Sequence, residues 1–121
     1  MTKIMIVDDA RLMRNLIRKS ILENFENMHI IEAQDGSQAV EMYRTEYPDL
    51  VTLDITMEEK NGLDAAREIL DMDKFARIIM ITSLGQERLL EACIGMGVRD
   101  FIVKPFTKNR ITESVSNALK G

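Results

Sequence analysis

The residues of this 121-residue chain whose types and spacing could do chemistry are Asp8, Asp9, Asp54, Thr82, Ser83 and Lys104, each of which closes or directly follows a short apolar run. The run before Asp54 is Leu50-Val51-Thr52-Leu53. A carboxylate buried within such a strand costs on the order of several kcal/mol unless paired, so Asp54 is placed at the strand's carboxyl end, the edge where open parallel sheets bind ligands. Each residue also has a plain structural reading: Asp54 in a turn, Asp9 or Ser83 capping a helix, Lys104 as a solvated lysine. Together they form a coherent chemical set. Three carboxylates brought to about 4 Å repel by on the order of 4 kcal/mol per pair at an effective dielectric of about 20, and such a group calls for a cation. Oxygen ligands without His or Cys select a hard ion, and Mg²⁺ suits a site that keeps a place for a phosphate oxygen. Lys104 adds a point charge for phosphate and Thr82 a hydroxyl donor. This is equipment for holding a phosphoryl group in transfer, with Asp54 as the attacking carboxylate that becomes an acyl phosphate. Asp8, Asp9 and Asp54 carry −3, matched by Mg²⁺ at +2 and Lys104 at +1. Phosphorylation takes Asp54 from −1 to about −2, and the excess draws a mobile donor such as Thr82 inward, which could bias a two-state surface.

The elements that must position these residues are legible from periodicity. Lys3–Val7 reads as a strand buried on both faces. Met13, Leu16, Ile17, Ile21 and Phe25 then recur at helical spacing, with Arg11, Arg14, Arg18 and Lys19 expected on the solvent side. A strand follows at Met28–Ala33, a turn and cap at Asp35-Gly36, and a helix marked by Ala39, Val40, Tyr43 and Tyr47 and ended by Pro48. The strand ending at Asp54 leads through Asn61-Gly62 to a helix with Leu63, Ala66, Ile69 and Leu70 inward. Arg77–Thr82 is the fourth strand, and Ser83-Leu84-Gly85-Gln86 has capping-box spacing. The helix that follows uses Leu89, Leu90, Cys93 and Met96 and is closed by Gly95 and Gly97. Phe101–Val103 is the fifth strand, Lys104-Pro105 breaks it, and Ile111, Val115, Ala118 and Leu119 mark the last helix. Strands alternating with helices predict a doubly wound α/β fold with a five-stranded parallel sheet. A single domain over 1–121 is expected.

Composition narrows the function classes. Net charge −4 and a pI near 5.0 leave no basic footprint for nucleic acid or anionic lipid. No run approaches the roughly 18 apolar residues of a membrane span, and a strand pattern from Lys3 leaves no room for a signal peptide. The single Cys93 fits a reducing, cytoplasmic setting and reads as a small core residue. The nine Met, scattered singly, read as core filler, and the single His29 as a surface residue away from the acidic end.

The chain resembles the response-regulator receiver family, in particular its stand-alone CheY-like chemotaxis members. The carriers are Ile6-Val7-Asp8-Asp9-Ala10, Asp54-Ile55-Thr56-Met57 with Asn61-Gly62-Leu63, Ile81-Thr82-Ser83 and Asp100-Phe101-Ile102-Val103-Lys104-Pro105-Phe106. Each motif is weak alone, but all four in order are specific. The resemblance implies strand order 2-1-3-4-5 and a phosphoryl transfer from a histidine kinase (CheA-like) to Asp54. It implies Mg²⁺ held by Asp9, Asp54, the Thr56 carbonyl and, through water, Asp8, with Lys104 and Thr82 on the phosphoryl oxygens and a cis Lys104-Pro105 bond. Phe101 stands at the aromatic switch position; its structural reading is a strand aromatic packed on the last helix. The output face would be the fourth helix, fifth strand and last helix, with Arg88, Glu91, Arg99, Lys108 and Glu113. A monomer that binds a flagellar motor switch, and is served by a phosphatase, is implied, with no enzyme activity beyond its own phosphorylation and dephosphorylation. Glu58 departs from the family's usual Pro, and Thr56 and Leu84 offer no water-orienting group, which implies slow self-dephosphorylation.

The same residues admit other readings. A phosphorelay intermediate, or the receiver part of a longer regulator, uses the same site. A haloacid-dehalogenase-like aspartyl-phosphate phosphatase wants its nucleophile on the first strand with an acid/base Asp two residues later; here the candidate is on the third strand and the later position is Thr56. A flavodoxin-like flavin carrier wants a hydroxyl-rich phosphate loop where this chain has Asp8-Asp9, which would repel a phosphate.

Overall fold

In a computed structural model, which describes residues 1–55, 62–83 and 89–120, the alternation resolves into strands β1 (Thr2–Val7), β2 (Met28–Ala33), β3 (Leu50–Asp54), β4 (Ile78–Ser83) and β5 (Asp100–Lys104). The helices are α1 (Arg11–Asn24), α2 (Gly36–Glu46), α3 (Gly62–Met72), α4 (Leu90–Met96) and α5 (Lys108–Lys120). The strands form one parallel sheet in the order β2-β1-β3-β4-β5, the doubly wound arrangement expected. Alternate strand residues feed two cores. Ile4, Ile6, Leu50, Ile79, Ile81 and Ile102 pack with Ile17, Ile21, Ile111 and Val115 of α1 and α5. Met5, Val7, Val51, Leu53, Ile78 and Met80 pack with residues of α2, α3 and α4, among them Ala39, Tyr43, Ile69 and Cys93. Removing each large side chain from water contributes about 1.5–3 kcal/mol, and this double-sided burial is why β1, β3 and β4 read as unbroken apolar runs. Cys93 is buried, and burial pushes its thiol pKa up, so it is a core residue and no nucleophile.

Helix ends follow local chemistry. Asp35 caps α2 by accepting from the Gln38 amide at 2.8 Å, while Gln38 reaches back to the Gln34 amide at 2.6 Å. Tyr47, expected inside this helix, is its C-cap instead: it takes a left-handed φ of 48° and is exposed, because Pro48 bars the helical conformation before it. Of the expected Ser83–Gln86 cap, Ser83 ends β4 and the rest falls on 84–88, outside the described residues. Met5 and Met80 fill core space as expected, whereas Met1 is exposed.

Two expectations about orientation are overturned. Arg14, placed on the solvent side, is 8% exposed, and α1 buries Arg14, Ile17, Ser20 and Ile21, while Leu16 is exposed at the edge. The helix is rotated because the Arg14 guanidinium has acceptors waiting beneath it, so a charged head can be buried. Phe101 does not pack on the last helix. It packs against the core that lies under α2, α3 and α4, and Ile102 faces α5 in its place, as the two-residue period of a strand requires.

Two stability predictions arise from the fold. Asp100 is gripped by Arg110 through both guanidinium nitrogens (2.9 and 3.0 Å), by the Ser114 hydroxyl (2.7 Å) and by the Phe101 amide (2.8 Å). Burial alone would raise the Asp100 pKa; the hydrogen bonds from Arg110, Ser114 and the amide outweigh it and hold it below the usual value. A carboxylate with a depressed folded-state pKa stabilises the protein above its unfolded pKa, and that stability is lost as pH falls from about 4 through the folded value. Asp100→Asn is therefore expected to lose about 1 kcal/mol at neutral pH, the group being partly solvent-screened, and to flatten the acid limb of a stability–pH curve from urea melts. Thr52, in register with Ile6 and Ile79 of the neighbouring strands, has a buried Oγ1 that finds no hydrogen-bond partner among the described residues. Removing an unpaired buried hydroxyl recovers its desolvation cost, so Thr52→Val should raise stability by about 1 kcal/mol in far-UV circular dichroism melts.

Candidate functional site

The residues singled out from sequence lie along one edge of the sheet because every strand is parallel and ends there. Asp8 directly follows β1, Asp54 closes β3, Ser83 closes β4 and Lys104 closes β5. Asp8 and Asp54 are 1% and 3% exposed, while Asp9 is open to solvent. One carboxylate oxygen from each of Asp8, Asp9 and Asp54 lies within 4.8 Å of the others. Lys104 reaches across from β5 and donates to Asp8 Oδ2 at 3.1 Å and to Asp54 Oδ2 at 3.4 Å. Its peptide bond to Pro105 is cis, as the resemblance implied.

Asp8 is held on every polar atom. Its amide donates to the Ala33 carbonyl at 3.2 Å, its Oδ1 accepts from the Ala10 amide at 2.9 Å, and its carbonyl accepts from Arg14 Nη1 at 2.7 Å. Burial raises its pKa, and the neighbouring Asp54 adds to that; the Ala10 amide and Lys104 oppose without cancelling it. The site is thus a pair of buried carboxylates under electrostatic tension, relieved on one side by a lysine and open on the other through Asp9. Three oxygen donors with no His or Cys among them fit a hard divalent cation.

Thr82 is fully buried on β4, one residue beyond Ile81, the register partner of Asp54. Its hydroxyl donates to the Ser83 carbonyl at a long 3.4 Å. Thr56, expected to offer a metal-binding carbonyl, lies outside the described residues, as do Glu58, Leu84 and Arg88. Phe101 is half-buried, and Glu91, Arg99, Lys108 and Glu113 are exposed.

Two features of the site went unseen in the sequence. Gly62 opens α3 against the back of the acidic strand: a Cβ there would overlap the Asp54 carbonyl oxygen and lie 2.6 Å from Ile55 Cα. Arg14, besides holding Asp8, donates from Nε to Glu32 Oε1 on β2 at 2.8 Å. A signal existed for the second: Arg14 falls three residues before Ile17 and seven before Ile21, within the buried stripe, and Glu32 interrupts the apolar stretch Ile30, Ile31 and Ala33.

Compared with known proteins, residues 4–116 match the family description "Response regulator receiver domain". The chain belongs to the response regulator receiver family. Among its relatives, the chemotaxis protein CheY of Bacillus subtilis is 44% identical over 117 residues, covering 97% of each chain. Protein CcdB of the same organism is 46% identical over 119 residues, covering 98% of each. The CheX–CheY–BeF3–Mg complex from Borrelia burgdorferi contains a similar fold, with TM-score 0.88 and 36% identity over 96% of this chain and 87% of that one. This chain is a CheY-like receiver domain, and receiver domains are signalling proteins. Its Asp8/Asp9/Asp54 group is compatible with the Mg²⁺ that receivers bind at an acidic pocket. Among the described residues, no helix is long and apolar enough to cross a membrane.

Proposed function

We propose that Asp54 accepts a phosphoryl group from the phosphohistidine of a CheA-like kinase, and that the resulting charge switches a protein-binding surface in chemotaxis. The observation that carries this reading is the bridging of Asp8 and Asp54 by Lys104 beside the open carboxylate of Asp9. Asp54 forms the O–P bond as the P–N bond breaks, and the leaving imidazole nitrogen keeps its electron pair and takes a proton. Lys104 exchanges carboxylate partners for phosphoryl oxygens, and Thr82 turns its hydroxyl from the Ser83 carbonyl toward the incoming group. Asp8, Asp9 and Asp54, with the Thr56 carbonyl, would hold Mg²⁺, which supplies charge neutralisation to the phosphoryl oxygens when bound. Phe101, half-buried beside α4, is the ring whose exposure would report the state to an output partner such as the flagellar motor switch, over a face that includes Glu91, Arg99, Lys108 and Glu113. A phosphatase would reverse the switch. The protein works in the cytoplasm as a monomer, with no chemistry beyond its own phosphorylation and hydrolysis.

The test is incubation with acetyl phosphate and Mg²⁺ followed by intact-mass measurement. Wild type should gain one phosphoryl group as acetate leaves; Asp54→Asn and an EDTA-treated sample should gain none. An unmodified wild type, or equal labelling of Asp54→Asn, overturns the proposal.

A further inference from the structure

We propose that Arg14, braced by Glu32, is a positioning residue that orients the Asp8–Asp9 peptide so that both carboxylates face the cation site; this rests on the phosphoacceptor reading above. The turn between β1 and α1 carries two of the three acidic ligands, yet α1 starts without a side-chain cap, Ala10 occupying that position. The Ala10 amide holds the Asp8 carboxylate at 2.9 Å, a bond that leaves the Asp8–Asp9 peptide carbonyl for another donor. Arg14 supplies it from within the helix. Its Nη1 donates to the Asp8 carbonyl at 2.7 Å, the acceptor of the peptide that links Asp8 to Asp9. The plane of that peptide sets the direction in which Asp9 leaves the strand. Asp9 is exposed, so neighbouring side chains do little to constrain it.

Arg14 is itself fixed. Its Nε donates to Glu32 Oε1 at 2.8 Å, and Glu32 lies on β2 in register with Ile6, two residues before Asp8. One guanidinium thereby ties α1, β2 and the acidic turn together, which needs a planar head able to serve two acceptors in set directions. A lysine offers one point charge and cannot reproduce the fork. A merely structural ion pair could end anywhere between α1 and β2; this one ends on a main-chain atom of a candidate metal ligand. Residues that orient a metal's ligands from behind shift affinity by about 10–100-fold when removed.

The experiment measures Mg²⁺ binding to the unphosphorylated protein by isothermal titration calorimetry, and the Mg²⁺ dependence of acetyl phosphate labelling, for wild type, Arg14→Gln, Arg14→Lys and Glu32→Ala. All are run well below each variant's melting temperature. In Arg14→Gln and Arg14→Lys the Mg²⁺ dissociation constant should rise about tenfold, with the labelling rate at saturating Mg²⁺ largely kept. Glu32→Ala, which leaves Arg14 in place but unbraced, should give a smaller shift in the same direction and keeps the test usable if Arg14→Gln fails to fold. Variants with lowered melting temperatures but wild-type Mg²⁺ affinity would make Arg14 structural only and overturn the proposal. Full rescue by Arg14→Lys would also overturn it, since charge without the fork would then suffice. Failure of wild type to bind Mg²⁺ or to be labelled would instead sink the phosphoacceptor reading, an outcome separate from any difference between variants.

Discussion

Lys104→Met is expected to destabilise the metal-free protein by about 3 kcal/mol at neutral pH and to abolish labelling by acetyl phosphate. The substitution keeps an apolar stem of similar length and removes only the ammonium. Asp8 and Asp54 are then left almost wholly buried with their shared counter-charge gone. Stripping the cationic partner from buried carboxylates costs about 3–5 kcal/mol, because their charge loses its compensation where water is largely excluded. The lower end applies here, since Lys104 retains 18% exposure and water reaches its head. Far-UV circular dichroism in urea is the suitable measurement, as the chain has no Trp to report by fluorescence. Two controls separate the causes. Millimolar Mg²⁺ should restore much of the lost stability, and Asp8→Asn in the Lys104→Met background should restore it without metal. Neither should restore labelling, because the group that meets the phosphoryl oxygens is still missing. A Lys104→Met protein as stable as wild type would show that the two carboxylates are relieved by something other than this lysine.

Gly62→Ala should cost about 3 kcal/mol and slow labelling of Asp54 as well. The added methyl would be forced against backbone, not against the far end of a flexible side chain: the Asp54 carbonyl, its carbon at 2.8 Å and Ile55 Cα at 2.6 Å. Overpacking of a tight core typically costs about 1–3 kcal/mol, and a rigid neighbour puts this case at the top of the range. Either α3 moves off the sheet or the end of β3 moves with Asp54 on it. Both outcomes are visible, the first as a lower urea midpoint, the second as slower labelling in the folded protein. Gly95, with open space around its Cα, is the internal control: Gly95→Ala should leave labelling unchanged.

The strand ends and the acidic edge were legible in the sequence for a common reason, while the sheet order came from the family resemblance. In a doubly wound sheet the strands are short apolar runs, so a charged residue that stops one marks the binding edge directly. Asp8, Asp54 and Lys104 could be assembled without knowing a single side-chain angle. Arg14 was misplaced because the rule used there, that arginines face water, fails when a buried acceptor compensates the charge, and the Asp8 carbonyl and Glu32 come from other parts of the chain. Phe101 was assigned to the wrong side because a single aromatic in a five-residue strand does not declare its face; Ile102, packed on Ile111 and Val115, settles it. Gly62 looked like a turn glycine, and only the tertiary approach to Asp54 reveals what its missing side chain is for.

The alternation along β5 carries a final consequence. Lys104 and Phe101 are three residues apart, about 10 Å along the strand, and point to opposite sides of the sheet. Between the lysine and the ring runs a short strand paired along its length with β4. Under the proposed function, a partner docked over α4 and a phosphodonor at the acidic edge would meet different margins of the molecule.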